Sequence, residues 1–188
     1  MNYSADNVIA HGFAALAEGL DFPRPELVAF SAENPLLQRL ALVDELDAYW
    51  QLLVGWIESI PDPLERLDRL QKGYYQMFLR PGTGLFLSLH HWYQKETPAT
   101  FLADFENFLA EMKLQQSPNW TNGGDHLAVV FELLAHMAAT QDPGFSIFVP
   151  RYIRPWFSLF ANRMRESAAN DFYCVISIIA SEVDHAMD

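Results

Sequence analysis

Apolar residues recur at intervals of three and four positions through almost the whole chain, and prolines interrupt this pattern at several points. Such spacing is typical of amphipathic helices, because residues three or four positions apart share one helix face. Proline restricts the residue before it and therefore marks helix boundaries. No alternating pattern indicates a strand, and no repeat of fixed period appears. The sequence predicts an all-α fold, a single-domain helical bundle of about eight to ten helices over residues 1–188.

The apolar spacing and the prolines together predict the positions of most helices. The predicted helices are residues 4–20, 26–32, 36–60 and 64–79, one that starts at Thr97-Pro98, residues 125–140, residues 145–168 split by Pro150 and Pro155, and residues 172–187. Residues 85–93, LFLSLHHWY, fit a helix or a strand by periodicity alone. We favour a helix there because the surrounding segments are helical.

The charge balance narrows the range of partners. The chain carries 24 acidic and 12 basic residues, a net charge of −12. Nucleic acid is therefore an improbable partner, because phosphate binding needs clustered lysine and arginine. An acidic surface instead attracts cationic ligands. The alternative is that the acidic charge serves only solubility and binds no particular ligand.

The sequence predicts a cytoplasmic location. The N-terminus has no basic region followed by an apolar core, so it does not resemble a signal peptide. No apolar run approaches the ~18 residues of a membrane-spanning helix, so no stable membrane insertion is expected. The single cysteine, Cys174, cannot form an internal disulfide, and its apolar neighbours predict a small core residue.

The segment that begins at Gly123 has the clearest functional potential. Two glycines, Gly123 and Gly124, permit a turn, and Asp125 is predicted to cap the following helix. On that helix Asp125, Glu132 and His136 would share the face opposite the apolar residues. This face is either the solvated side of a capped helix or a binding surface for a polar or cationic ligand.

Three stretches carry a resemblance to a known family. Gly124-Asp125-His126-Leu127-Ala128, followed by Glu132, is similar to an Asp-His-Leu-Ala…Glu helix opening. The others are Tyr152-Ile153-Arg154-Pro155-Trp156…Phe160 and Tyr74-Tyr75-Gln76-Met77-Phe78 with Pro81-Gly82. In order and spacing they resemble the TorD/DmsD/NarJ family of cytoplasmic redox-enzyme maturation chaperones. The chain departs from the family in having Gly124 where a proline is usual.

The resemblance implies a non-catalytic function and no cofactor of the protein's own. Members bind the N-terminal leader of a molybdenum-cofactor oxidoreductase subunit, commonly a twin-arginine leader peptide. They hold the apo catalytic subunit until its cofactor is inserted, before export. Such a leader combines arginines with an apolar stretch, so its receptor needs carboxylates beside apolar side chains.

The resemblance and this physical requirement together predict a peptide-binding site. Its residues are Gly124, Asp125, His126, Glu132, Tyr74, Met77, Phe78 and Trp92. The carboxylates of Asp125 and Glu132 would bind the arginines, and the aromatic and methionine side chains would line the apolar part. Core packing is an equally good explanation for each of these large side chains. For His126 we also expect a structural function, in fixing the loop before the helix by hydrogen bonding.

Two alternatives stay open at the level of sequence. The chain could be a helical interaction module for another partner, in which case the region of Asp125 would not matter for binding. It could also be a metal-dependent hydrolase that uses the pairs His90-His91, Asp125-His126 and Asp184-His185. Adjacent residues on a helix point about 100° apart, so such pairs are poor ligands for one ion. Exchange of elements between protomers would also permit a homodimer.

Overall fold

The computed structural model describes residues 3–30, 33–82, 85–93, 97–112 and 123–187, with side chains from residue 8 onward. In these ranges the regular elements are all helical. The α-helices are α1 (Tyr3–Leu20), α2 (Pro35–Leu40), α3 (Asp47–Ser59), α4 (Pro63–Tyr74), α5 (Pro98–Glu111), α6 (Leu127–Ala139), α7 (Phe145–Phe148), α8 (Phe157–Ser167) and α9 (Asp171–Ala186). The predicted all-α bundle of eight to ten helices is confirmed. Its extent as a single domain stays a prediction.

Short helices of other types join these α-helices. Three are 3₁₀ helices, Pro25–Val28, Asp44–Leu46 and Leu89–Trp92. Two are π-helices, Tyr75–Leu79 and Val149–Ile153, and each directly continues an α-helix. In the first π-helix the Arg80 amide donates to the Tyr75 carbonyl at 2.8 Å, which is a bond across five residues.

Several helix starts combine a capping side chain with a proline. Asn34 accepts hydrogen bonds from two backbone amides of α2, Asp62 accepts one in α4 and Thr97 accepts one in α5. In each case a proline follows directly. Proline suits the first helical position because its missing N–H needs no partner there. This local chemistry explains why the predicted boundaries at these prolines agree with the structure.

Helix α1 forms the centre of the packing. It lies against α6, α9 and α2, and its apolar residues from Phe13 to Leu20 are almost fully buried. Two glycines permit its close approach to α9. A Cβ atom added at Gly12 would overlap the side chain of Val183. A Cβ atom added at Gly19 would lie 2.7 Å from Cδ1 of Ile176. The pairing of early with late residues shows that the two helices run antiparallel.

The predicted helix over residues 36–60 is wrong in its middle. Helix α2 ends at Leu40, Val43 is extended, and the chain turns through a 3₁₀ helix into α3. The turn lets α2 pack on α1 while α3 packs on α9. Leu40, Val43 and Leu46 are all buried on the inner side of this turn. Tertiary packing therefore decides the break, without proline or glycine.

The helix predicted for residues 85–93 is also largely wrong. Only Leu89–Trp92 is helical, as a short 3₁₀ helix. Ser88 is extended and forms an isolated antiparallel β-bridge with His126. Its backbone conformation therefore depends on a partner segment 38 positions later, which local periodicity does not reveal.

A smaller expectation also fails. Cys174 is exposed, because it lies on the outer side of α9 while its neighbours Phe172 and Tyr173 are buried. The turn expected at Gly123 and Gly124 does form, since the His126 amide donates to the Gly123 carbonyl at 2.9 Å, although neither glycine adopts positive φ. The described glycine that does is Gly82, with φ of 86°, in the turn after the first π-helix.

Substitution of Gly19 tests the close packing of α1 on α9. In Gly19→Ala the added methyl group would crowd three atoms of Ile176, at 2.7 to 3.2 Å. Overpacking of this kind typically costs about 1–3 kcal/mol. We expect a lower free energy of unfolding by about that amount, measured by urea denaturation.

Gly55→Ala is the matched control. Gly55 lies in α3, and apart from its chain neighbours and the helix backbone around it, no described atom lies within 4 Å of an added Cβ. Alanine in a helix is favoured over glycine by about 0.5–1 kcal/mol, so this variant should be slightly more stable. Equal effects of the two substitutions would contradict the packing argument.

Candidate ligand-binding site at the start of helix α6

Two chain segments that are distant in sequence meet in front of α6. The amide of Leu89 donates to the carbonyl of Asp125 at 2.8 Å, and the amide of Leu127 donates to the carbonyl of Leu87 at 2.7 Å. These two hydrogen bonds fix the backbone around Asp125 from both sides. Leu87 is half-buried, and Leu89 and Leu127 are buried, so apolar packing reinforces the connection.

His126, and not Asp125, caps α6. The helix begins at Leu127, and the Nδ1 atom of His126 accepts a hydrogen bond from the Ala128 amide at 3.2 Å. The expectation that His126 fixes this loop by hydrogen bonding therefore agrees with the structure. The prediction of Asp125 as the cap is wrong, because Asp125 precedes the helix and its side chain points to a different partner.

Asp125 is paired with His90. The Oδ2 atom of Asp125 lies 2.5 Å from Nδ1 of His90, and the two side chains are only 14% and 19% exposed. Since a carboxylate accepts but does not donate, the Nδ1 atom of His90 carries the proton of this bond. Asp125 is therefore a partly buried carboxylate whose orientation is fixed by an imidazole from a separate segment.

Aromatic contacts hold His90 in turn. Its ring lies 4.1 Å from the ring of His91, which stacks on Phe86 at 4.5 Å with an interplanar angle of 8°. Burial lowers the pKa of His91, and His90 adds to the decrease while Asp125 opposes it. Phe86 itself is exposed on its other side. A hydrophobic ring thus stands next to the His90–Asp125 pair at the protein surface.

The end of α1 adds further charge to this region. The negative charge of Asp21 opposes the lowering of the pKa of His126, for which burial is the main cause. Glu18 pairs with Arg24 at 2.5 Å. Burial raises the pKa of Glu18, and Arg24 opposes that increase. Asp21 also pairs with Arg24, at 3.5 Å, so the acidic groups here are partly neutralised.

Glu132 has a partner of its own. Its Oε1 atom lies 3.6 Å from the guanidinium of Arg39 on α2, and both side chains are half-exposed. His136 is exposed one turn further along α6. Because Asp125 lies outside the helix, the predicted stripe of Asp125, Glu132 and His136 does not form as one helical face. Gly124 lies half-buried beside Asp125.

The large side chains predicted to line a peptide groove have different environments. Tyr74, Met77 and Phe78 are buried, with relative exposures of 4%, 2% and 9%. Tyr74 packs on Phe78 and on the edge of Phe22, and burial raises the pKa of its hydroxyl. Trp92 is half-buried, stacks on Trp156 at 5.3 Å and donates to the Phe86 carbonyl. Burial favours the core-packing interpretation for the first three.

Sequence reasoning missed the exposed members of the same helix. Tyr75 and Leu79, four positions apart, are 55% and 52% exposed on the opposite side from the buried residues. A signal was available, because the predicted helix over residues 64–79 is apolar on more than one face near its end. His90 was also missed as the partner of Asp125. Only the tertiary contact reveals that pair.

The described residues contain neither a metal-ligand cluster nor a membrane-spanning helix. No group of three or more histidine, cysteine, aspartate or glutamate side chains in this part of the chain could hold a metal ion. Within the same residues, no helix is both long enough and apolar enough to cross a bilayer.

Comparison with known proteins defines the class to which this helical chain belongs. A family model described as nitrate reductase delta subunit matches residues 40–164, which is more than half of the chain. The matched region includes α3–α6, the His90–Asp125 pair and most of α8. The protein therefore belongs to this family, the TorD/NarJ family of chaperones, as the sequence motifs predict.

One curated relative agrees with this assignment. The chain is 29% identical over 76 residues to a protein named chaperone protein TorD from Colwellia psychrerythraea. The match covers 40% of this chain and 32% of the length of that relative. No solved structure matches the chain.

The cap formed by His126 predicts a pH dependence of stability. Its pKa lies below the ordinary value in the folded protein, so the unfolded chain binds more protons as the pH falls below about 6.5. Its contribution is therefore complete above that pH and is lost towards lower pH. Protonation at Nδ1 also removes the cap acceptor. We expect His126→Asn, which keeps an acceptor and cannot titrate, to flatten the decrease of melting temperature between pH 7.5 and 5.

His136→Asn is the control for this measurement. His136 lies on the same helix but is exposed and caps nothing. It should retain the pH dependence of the unaltered protein. A His126→Asn protein with the same steepness as the His136→Asn protein would contradict the titration of His126.

Proposed function

We propose that this protein is a chaperone that binds the N-terminal leader and the apo form of a molybdenum-cofactor oxidoreductase subunit, and that it acts in the cytoplasm without catalysing a reaction. The observation that carries the proposal is the partly buried Asp125 carboxylate, fixed by His90 beside exposed apolar side chains. Membership of the TorD/NarJ family supports the class of client. We further propose that the leader is a twin-arginine peptide.

The carboxylate of Asp125 suits a guanidinium ligand. An ionised carboxylate offers about four lone-pair sites, and His90 uses one of them. Carboxylate–guanidinium pairs are geometrically specific, and partial burial weakens competition from water. The net charge of −12 favours the approach of a cationic peptide. Gly124 leaves the approach to Asp125 without a side chain.

The exposed apolar side chains suit the leader's apolar stretch. Phe86 adjoins the His90–Asp125 pair through His91. Phe22 follows Asp21 and contacts Tyr74, from which the exposed Tyr75 and Leu79 continue along the same helix. Large exposed apolar groups near one another are typical of protein-binding surfaces. In this proposal Tyr74, Met77 and Phe78 support that surface from below, and Trp92 supports Phe86.

The alternative to leader binding is that the protein binds a different part of the client, or a different protein. The chaperone could recognise the mature part of the client subunit instead of its leader, or serve as an interaction module for a different protein. An interaction module of that kind would keep its partner affinity when Asp125 is substituted.

Calorimetric titration tests the proposal directly. The purified protein would be titrated with a synthetic twin-arginine leader from a molybdoenzyme encoded nearby, with a double-lysine version and a version with a scrambled apolar segment. Micromolar or tighter binding that both changes weaken would support leader recognition. Absence of binding to any leader would contradict it, and a pull-down from native extract would then identify the bound partner.

The charge of Asp125 has a specific predicted effect. Asp125→Asn keeps the size of the side chain but removes the negative charge opposite the leader's arginine. Hydrogen bonds to charged groups contribute about 1.5–3 kcal/mol, so we expect at least about tenfold weaker leader binding by calorimetry. Asp184→Asn is the control, because Asp184 lies near the end of α9, and its neighbour Val183 packs against Gly12 in the middle of α1. Equal affinities of the two variants would contradict the function given to Asp125.

The exposed apolar group at Leu79 has a separate predicted effect. Leu79→Ser removes apolar area that the leader would bury, worth about 1.5–3 kcal/mol for a fully buried side chain. We expect weaker leader binding, up to about tenfold, with thermal stability little changed because Leu79 is half-exposed.

Leu64→Ser provides the control for Leu79→Ser. Leu64 is 76% exposed at the other end of the same helical segment. The control should bind the leader as the unaltered protein does. Equal losses in the two variants would indicate a general effect of surface polarity instead of a local contact.

A further inference from the structure

We propose that His90 is a positioning residue that orients the Asp125 carboxylate for an arginine side chain and so gives the site its preference for arginine over lysine. This inference rests on the proposed function, because it concerns the same leader-binding site. His90 itself would not contact the leader. Its effect on the ligand would pass through Asp125.

The hydrogen-bond geometry separates the two oxygen atoms of the carboxylate. His90 Nδ1 binds Oδ2 at 2.5 Å, whereas no hydrogen bond to Oδ1 is present among the described residues. Oδ1 lies on the side of Gly123, 3.5 Å from the position of a Cβ atom added there. Apart from Gly123 itself and its chain neighbours, no other described residue has an atom within 4 Å of that position. The imidazole therefore holds one oxygen, and the other points towards a backbone that lacks a side chain.

The backbone prevents His90 and Asp125 from moving apart. The hydrogen bond from Leu89 to the Asp125 carbonyl lies directly before His90 in the chain. On its other side the His90 ring contacts His91, which stacks on Phe86. The carboxylate is thus held before any ligand arrives, so its ordering adds little to the entropy cost of binding.

A fixed carboxylate distinguishes the two basic side chains. Guanidinium presents a rigid planar fork that matches a carboxylate only in a defined orientation. Lysine is a point charge with rotatable donors, and it pairs with a carboxylate in many orientations. Because His90 occupies one lone pair of Oδ2 and no described residue donates to Oδ1, a bidentate guanidinium can use Oδ1 and the second lone pair of Oδ2. Loss of the fixed orientation should therefore weaken arginine binding more than lysine binding.

Two substitutions of His90 test whether its hydrogen bond to Asp125 sets the preference for arginine. The amide nitrogen of asparagine takes nearly the place of Nδ1, so His90→Asn keeps the donor to Asp125. His90→Leu fills similar space without a donor. His185→Asn is the control, because His185 is exposed in the last turn of α9 and has no hydrogen bond to Asp125 among the described residues. Full-length proteins would be titrated with the twin-arginine leader and with its double-lysine version, and circular dichroism and melting would be recorded for each.

The inference predicts a loss in one variant and its rescue in another. His90→Leu should bind the twin-arginine leader at least about tenfold more weakly, with a much smaller loss for the double-lysine version. His90→Asn should bind both within about threefold of the unaltered protein, and so should His185→Asn. Because the ratio of the two affinities is measured within one variant, a change in its folded fraction cancels from that ratio.

Three outcomes would overturn the inference. A His90→Leu protein with an unchanged ratio of arginine to lysine affinity would show that His90 does not set the preference. A His90→Asn protein that loses as much as His90→Leu would show that the donor is not responsible. Absence of binding by the unaltered protein would overturn the proposed function and, with it, this inference. The first two outcomes leave the proposed function intact.

Discussion

The burial of α1 between α6 and α9 is the constraint on which the remaining structure depends. Gly12 and Gly19 let α1 approach α9 so closely that a methyl group at either position would collide with a side chain. Because α1 also runs antiparallel to α6, its end brings Asp21 and Phe22 towards the start of α6. Core packing therefore helps to position the candidate site. The helix that fills the centre of the fold is followed directly by an acidic residue, Asp21, and an exposed apolar residue, Phe22.

The candidate site is assembled from segments that are far apart in sequence. Its acid, Asp125, comes from the loop before α6, and its orienting base, His90, comes from a segment 35 positions earlier. Two backbone hydrogen bonds hold these segments together. A short strand-like contact therefore brings His90 and Asp125 together, although the regular elements of the described residues are helices. Such an arrangement is stiff where the ligand's charge would bind. Phe86, which adjoins this pair through His91, is exposed, as are Tyr75 and Leu79 in the π-helix that continues α4.

Local chemistry explains what the sequence could predict. Apolar periodicity and capping residues before prolines, as at Asp62, define most helices because these signals act within one turn. The break after Leu40 has no such signal, since packing on two different helices causes it. The extended residues before Leu89 depend on a partner at position 126, and the pairing of His90 with Asp125 needs the same contact. The motif around Asp125 indicated the candidate site, whereas the geometry of that site required the fold.

The π-helix Tyr75–Leu79 is a place where the chain could lose one residue and remain helical. Its bond from Arg80 to Tyr75 encloses one residue more than an ordinary α-helical turn. Loss of a single codon here would restore a regular helix while α4 and the turn at Gly82 could keep their places. The identity of the outward-facing side chains would then change without a change in the helices on either side. Length variation at this one turn would therefore change which side chains are exposed there.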